Sequence, residues 1–192
     1  MNERMTISDI AGFCPEEAIW KMLGDVGRFL TNDGQVYALC PDAVIIDGDA
    51  FLVERCEYAG EEYRAPEQHA SQQADKESMV WTLGAITYYM ATGHMVFGGH
   101  GGAYQHLHPT VPLPVMPKAM QALTEVLHRC LTYHPSERIE LKALTEWAER
   151  ERAACVTRRR ETEENNIRRP SVRSTDQMEN WPEEMIEITE ET

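Results

Sequence analysis

The sequence predicts a mainly α-helical domain with one short β-hairpin, followed by a charged tail. Apolar residues recur at three-to-four spacing in several segments, an Asp-Gly dipeptide separates two short apolar runs, and the composition becomes strongly charged after Val156. Of the 192 residues, 42% are hydrophobic, which is enough to build one core without metals or disulfides. We therefore assign residues 1–155 to a folded domain and residues 156–192 to a tail.

The first long helix is predicted over residues 15–30, where apolar side chains share one face. Pro15 suits the first helical position, and the Asn-Asp-Gly string at 32–34 provides a stop signal. The helix should therefore pack its apolar face on a core and expose its charged face.

A short β-hairpin should follow this helix. Residues 36–39 are predicted to be extended, and strands are predicted at 44–46 and 51–53. The Asp-Gly-Asp string at 47–49 supplies the turn, because residues that tolerate a positive φ favour two-residue hairpin turns.

Three more helices complete the predicted domain. The segment 78–92 is apolar all round, which indicates a buried central helix, and Gly93 suits a left-handed cap at its end. A Gly- and Pro-rich loop at 97–117 is predicted next, then amphipathic helices at 118–131 and 141–155.

The tail at 156–192 has too little apolar surface to offset the entropy of ordering, so disorder is expected for most of it. Apolar residues return in the segment 181–188. That segment is open to two interpretations: a short docking segment, or part of a solvated tail.

Composition excludes several function classes. A net charge of −14 disfavours nucleic acid and anionic membrane surfaces as partners. No run approaches the roughly 20 apolar residues of a membrane span, and no apolar signal segment follows Met1, so a cytoplasmic protein is expected. The five cysteines are scattered without paired short spacings, which indicates reduced thiols.

Three strings carry a resemblance to a known family. They are Tyr63-Arg64-Ala65-Pro66-Glu67, Val80-Trp81-Thr82-Leu83-Gly84 and Arg129-Cys130-Leu131-Thr132-Tyr133-His134-Pro135-Ser136-Glu137-Arg138. In order and approximate spacing they resemble the C-terminal lobe of the eukaryotic-type protein kinases. The resemblance implies a kinase C-lobe-like fold in which Glu67 and Arg138 form a buried ion pair, and in which Trp81 and Gly84 are structural residues of the central helix.

The resemblance also locates the catalytic groups. Kinases carry a loop of the form His-Arg-Asp-x-Lys-x-x-Asn, whose Asp orients the substrate hydroxyl and whose Asn holds a metal ion. The matching string is 36–43, so the Asp position is Ala38, the Lys position is Cys40 and the Asn position is Ala43. The magnesium-binding Asp of Asp-Phe-Gly falls on Glu54. No catalytic, cofactor or metal site is expected, and ATP binding is not expected.

The central helix of a kinase normally opens with an Asp that supports the backbone of the catalytic loop. By the same alignment this position is Met79, and Asp75 is the alternative. Only six residues separate Cys56 from Tyr63, far fewer than in an ordinary activation segment.

No glycine-rich hairpin precedes Val36, and the glycine string at 98–102 is interpreted as a flexible loop instead of a phosphate cradle. No N-terminal nucleotide-binding lobe is therefore expected. The closest resemblance is to the kinase non-catalytic C-lobe (KIND-like) domains, which implies a pseudokinase that binds a protein or peptide partner as a signalling scaffold. The alternative is a Ser/Thr protein kinase-like fragment for which a partner chain supplies the ATP-binding lobe.

Two further patterns carry weaker interpretations. His106 and His108 would lie on one side of an extended strand and could ligate a metal, although a His-rich surface loop is the commoner arrangement. Cys40 is interpreted as a thiol that lines a pocket and not as a reactive nucleophile.

Overall fold

The computed structural model describes residues 4–71 and 73–168 of the chain. It divides into two compact units, Met1–Thr157 and Arg158–Thr192, and the description below concerns the first. Its helices and strands, in chain order, are α1 (Ile7–Ile10), α2 (Glu16–Asp33), β1 (Val44–Asp47), β2 (Ala50–Val53), α3 (Pro66–Ser71), α4 (Lys76–Thr92), α5 (Gly101–Leu107), α6 (Ala122–Leu131) and α7 (Leu141–Arg168), the last of which continues into the second unit.

The first two predicted elements are present with adjusted ends. Helix α2 begins at Glu16, so Pro15 is its N-cap residue and not its first helical residue. The hairpin has the predicted strands, with Asp47 pairing with Ala50 across a two-residue turn. Residues 36–39 are not a strand; a single bridge joins Ala38 to Cys56. The hairpin packs on α2, where the Phe51 N–H donates to Asp25 Oδ2 at 3.2 Å.

Helix α4 is the buried centre of the domain. Residues 78–87 are buried on every side, which confirms the interpretation of its uniformly apolar sequence. Gly93 adopts a φ of +71° and its N–H donates to Tyr89 O at 2.7 Å, so the predicted left-handed cap is confirmed. The helix starts two residues before the predicted position because Asp75 caps it and accepts from Ser78 N at 2.7 Å.

A close contact between α4 and α6 depends on Gly84. A Cβ at this position would lie 2.6 Å from Cys130 Cβ, closer than real Cβ atoms approach other atoms, and a tight 3.2 Å from Leu131 Cδ2. The absence of a side chain therefore lets the two helices pack at short range.

The segment 97–117 was predicted as a loop but contains helix α5. Two buried hydrogen bonds anchor this helix: Trp81 Nε1 donates to Gln105 Oε1 at 2.8 Å, and Gln105 Nε2 donates to Leu131 O at 2.7 Å. Because buried amides need partners, these two bonds hold α4, α5 and α6 in one arrangement. Gln105 lies in the segment assigned to a loop, and no local pattern in the sequence marks it as a core residue.

The last two helices also differ from the prediction at their ends. The segment 118–131 is divided into a 3-10 turn at Lys118–Met120 and α6, and α7 continues past the predicted end at Cys155 to Arg168. The segment 181–188, predicted as a possible docking segment, lies outside the described residues. None of the described helices is both long and apolar enough to cross a bilayer.

Arg138 joins three parts of the domain. Its guanidinium makes a bidentate pair with Glu67, with Nη1 to Oε1 and Nη2 to Oε2 both at 2.7 Å. The remaining donors reach the carbonyls of Glu77 at 2.9 Å, Thr132 at 2.9 Å and Tyr133 at 3.0 Å. The Arg138 side chain is 0% exposed and that of Glu67 is 20% exposed. The charge is therefore desolvated, paired and fully hydrogen-bonded.

Replacing Glu67 with Ala is expected to lower the free energy of unfolding by about 3 to 5 kcal/mol, because the buried Arg138 charge would lose its partner. The control is Glu125→Ala, which removes an exposed pair with Arg129 and should cost less than about 1 kcal/mol. Urea unfolding followed by circular dichroism measures both. Equal losses in the two variants would contradict the structural role given to Glu67.

Candidate functional site

The segment 36–43, between α2 and β1, crosses the start of α4. Tyr37 and Leu39 are buried there, and the Tyr37 N–H donates to Met79 Sδ at 3.2 Å. Asp75 does not take part, because its carboxylate caps α4. A thioether is a weak acceptor, but a buried N–H is costly without any partner. Met79 therefore holds the backbone of this segment. It occupies the position in α4 where, by the resemblance, a kinase carries an Asp that supports the catalytic loop.

Ala38 lies beside two cysteines. It bridges to Cys56, whose thiol donates to Ala38 O at 2.9 Å. The Cys40 thiol points at Cys56, with 3.9 Å between the two sulfurs. Burial, and then the neighbouring Cys40, raise the pKa of Cys56 to about 11. The sequence indicated no relation between these thiols, which are 16 positions apart and meet only through the Ala38 bridge.

Ala43 and Glu54 are neighbours through the backbone. The Glu54 N–H donates to Ala43 O at 2.8 Å, and the Ala43 methyl group is buried. The Glu54 carboxylate is 45% exposed and pairs with Arg4. A methyl group offers no ligand to a metal, and the Glu54 carboxylate is engaged by the Arg4 guanidinium.

Among the described residues, three separate cavities are each lined by one of these four positions. Ala38 lines a cavity of about 340 Å³, Cys40 lines a second cavity of about 300 Å³, and Glu54 lines a groove of about 460 Å³ beside the hairpin. Ala43 lines none of the three. Within residues 4–71 and 73–168, no three His, Cys, Asp or Glu side chains are grouped so that they could hold a metal ion.

The cavity beside Ala38 is the candidate site, and we call it the loop cavity. Residues 36–39, 57–59, 63 and 64 line it, together with Gln68, Ala74 and three residues of α4 that include Met79. Val36 and Tyr58 on its lining are 44% and 63% exposed, so the cavity opens beside apolar surface.

Arg64, whose cationic side chain lines the loop cavity, forms hydrogen bonds within the protein. Arg64 donates to Glu61 Oε1 at 2.7 Å and to Gln68 O at 3.0 Å. Tyr58 Oη donates to the same Glu61 oxygen at 3.0 Å. The Arg64 guanidinium, followed by the Tyr58 hydrogen bond, lowers the pKa of the Glu61 carboxyl. Arg64 therefore braces the short segment after Cys56, which leaves it less available for an anionic ligand.

The glycine string at 98–102, predicted to be a flexible loop, has two parts: Gly98 and Gly99 face open space, whereas Gly101 and Gly102 begin α5 and pack against backbone. A Cβ on Gly101 would lie 2.1 Å from Glu62 O, and one on Gly102 would lie 2.2 Å from Arg64 O. The start of α5 thus presses against the backbone beside the loop cavity. His106 is in α5 and His108 follows its end, so the predicted extended arrangement of these two histidines is wrong.

Replacing Met79 with Leu is expected to accelerate amide exchange in residues 36–39, because Leu keeps the volume but gives the buried Tyr37 N–H no acceptor. The control is Met90→Leu in the same helix, where Met90 is also buried. Hydrogen exchange followed by peptide mass spectrometry measures the effect. Equal exchange in 36–39 for both variants would contradict a supporting role for the Met79 sulfur.

A family model described as "Protein kinase domain" matches residues 54–148. This range includes Glu67, Trp81, Gly84 and Arg138, and it begins after the segment 36–43. The match therefore does not extend to the segment 36–43, which the resemblance aligned with the catalytic loop of kinases.

One curated relative is the "Serine/threonine-protein kinase Pkn1" of Myxococcus xanthus, which is 34% identical over 82 residues. The aligned segment is 40% of this chain and 12% of that protein, so the chain spans a small part of the relative's length. The family match and this relative together support a place for the chain in the protein kinase-like superfamily.

Proposed function

We propose that this chain is a catalytically inactive kinase C-lobe-like domain, closest to the kinase non-catalytic C-lobe domains, that binds a protein or peptide as a scaffold. The observation that carries the proposal is the chemistry at the aligned catalytic positions: Ala38 and Ala43 bear methyl groups, and Cys40 bears a thiol. None of the three can orient a hydroxyl, neutralise a transferred phosphoryl group or bind magnesium as the kinase residues do.

The hydrogen bond from Tyr37 to Met79 supports the alignment on which the proposal rests. It holds the backbone of the segment 36–43 against α4 at the position where the kinase lobe carries its acidic support. The alignment is therefore consistent in space as well as in sequence, although the family match itself begins at Glu54.

The loop cavity is the surface we assign to partner binding. It combines the exposed apolar residues Val36 and Tyr58 with backbone held by Met79 and Arg64. A cavity whose walls are held by hydrogen bonds and that lies beside an exposed aromatic residue suits an anchor position in a protein interface, because pre-ordered walls reduce the entropy lost on binding.

The alternative is a Ser/Thr protein kinase-like fragment that gains its ATP-binding lobe from another chain. The name of the Myxococcus xanthus relative favours this alternative. It requires a partner to replace three missing groups at Ala38, Cys40 and Ala43, which is harder than replacing one. Nucleotide binding separates the two functions.

Titration of the full chain with ATP and magnesium is expected to leave its thermal unfolding midpoint unchanged at millimolar nucleotide. A ligand present at 100 times its dissociation constant would add about 2.7 kcal/mol to the folded state, which is easily measured. ATP without metal and a manganese series serve as controls. A metal-dependent rise in the midpoint would overturn the proposal of an inactive site.

Replacing Tyr58 with Ala is expected to reduce partner recovery from cells about tenfold or more, because aromatic anchors dominate interface energies. The control is Phe13→Ala: Phe13 is 90% exposed but does not line the loop cavity. Quantitative mass spectrometry of captured proteins measures both variants against the parent chain. Equal recovery with Tyr58→Ala and Phe13→Ala would contradict the assignment of the loop cavity.

A further inference from the structure

Cys40 and Cys56 are two thiols that the proposed function does not use. Their sulfurs are 3.9 Å apart, and both side chains are only partly buried. The other three cysteines, Cys14, Cys130 and Cys155, are buried. The structure thus divides the five thiols into one accessible close pair and three enclosed residues.

The surroundings of the pair allow the sulfurs to approach. A disulfide needs the sulfurs at about 2.05 Å, so roughly 2 Å must be closed by side-chain rotation and a small backbone shift. Cys40 lies in extended backbone just before the 3-10 turn at Pro41–Ala43, and Cys56 is in the single bridge to Ala38. Neither cysteine is inside a helix or a strand that would hold its backbone rigidly.

We propose that Cys40 and Cys56 are a redox modification site. A hydroperoxide oxidises the two thiols, and a reversible disulfide forms between them. In the first step the Cys40 thiolate attacks one peroxide oxygen, an S–O bond forms as the O–O bond breaks, and the products are a sulfenic acid on Cys40 and water or an alcohol. In the second step the Cys56 sulfur attacks the Cys40 sulfur, the S–S bond forms as the S–O bond breaks, and the hydroxyl leaves with the Cys56 proton as water. Two thiols are oxidised by two electrons, and the peroxide is reduced by two electrons.

The surroundings of the two sulfurs indicate which thiol is oxidised first. Cys40 lines the second cavity, of about 300 Å³, where a small peroxide can reach it. Cys56 does not line that cavity, and its thiol donates to Ala38 O. Burial raises the pKa of Cys56 to about 11, so it is protonated at neutral pH and is a slow first nucleophile. Cys40 is therefore oxidised first, and Cys56 resolves the sulfenic acid. This proposal keeps Cys40 as a thiol that lines a pocket but departs from the sequence-based interpretation that it is unreactive, because its neighbour Cys56 was not evident from the sequence.

The disulfide would connect two walls of the loop cavity. Residues 36–39 lie directly before Cys40, and residues 57–59 lie directly after Cys56. A bond between the two cysteines would hold these walls at a fixed separation. The modification is thus placed where it can alter access to the loop cavity, and its chemistry does not depend on whether nucleotide binds.

The test exposes the reduced, folded full chain to hydrogen peroxide, then denatures it and alkylates the remaining thiols with a maleimide. Intact mass is expected to show three alkylated thiols in place of five, with two hydrogens lost. Peptide mapping is expected to find Cys40 linked to Cys56, and dithiothreitol is expected to restore five alkylated thiols. A disulfide between chains, or one that uses Cys14, Cys130 or Cys155, would overturn the proposal.

Matched variants identify the pair. Cys40→Ser and Cys56→Ser are each expected to abolish the intramolecular disulfide, whereas Cys14→Ser is expected to retain it. Phenylarsine oxide, which bridges two adjacent thiols, gives a readout on the unaltered chain if a variant fails to fold. One equivalent should bind and protect Cys40 and Cys56 from alkylation. Protection of other cysteines, or of none, would overturn the proposal.

Discussion

The buried pair of Arg138 and Glu67 is the interaction on which the rest of the domain depends. One guanidinium links α3, the first turn of α4 and the turn after α6 through five hydrogen bonds. Because the Arg138 charge is removed from water, each of those elements must keep its position for the charge to remain satisfied. The pair thereby fixes the start of α3 against α4, directly after Tyr63 and Arg64, which line the loop cavity.

The walls of the loop cavity are held in place by hydrogen bonds to Met79 and from Arg64. Met79 holds the segment 36–43 through a weak sulfur acceptor, and Arg64 braces the opposite wall through Glu61 and Gln68. Neither arrangement requires a charged group at Ala38, Cys40 or Ala43. The backbone around the loop cavity is therefore ordered by Met79, Arg64 and their partners, whichever side chains occupy positions 38, 40 and 43.

The sequence patterns correctly predicted those helices and strands that form because of residues within or next to them in the chain. Helix α4 followed from a uniformly apolar sequence with Gly93 at its end, and the hairpin followed from apolar runs on either side of Asp47-Gly48. Helix α5 was missed because its glycines indicate a loop. It forms because Gly101 and Gly102 pack against backbone and Gln105 bonds Trp81, contacts between residues far apart in the chain.

The sequence alone determined the class of fold, the kinase-like strings and the identity of the residues at the aligned catalytic positions, because each is a property of composition or of local order. Tertiary structure decided which of these positions share a surface. It separated Ala38, Cys40 and Glu54 among three cavities, brought Cys40 to 3.9 Å from Cys56, and brought the Tyr37 N–H within hydrogen-bond distance of the Met79 sulfur. Distances between residues far apart in the chain depend on how the helices pack, and no local pattern encodes them.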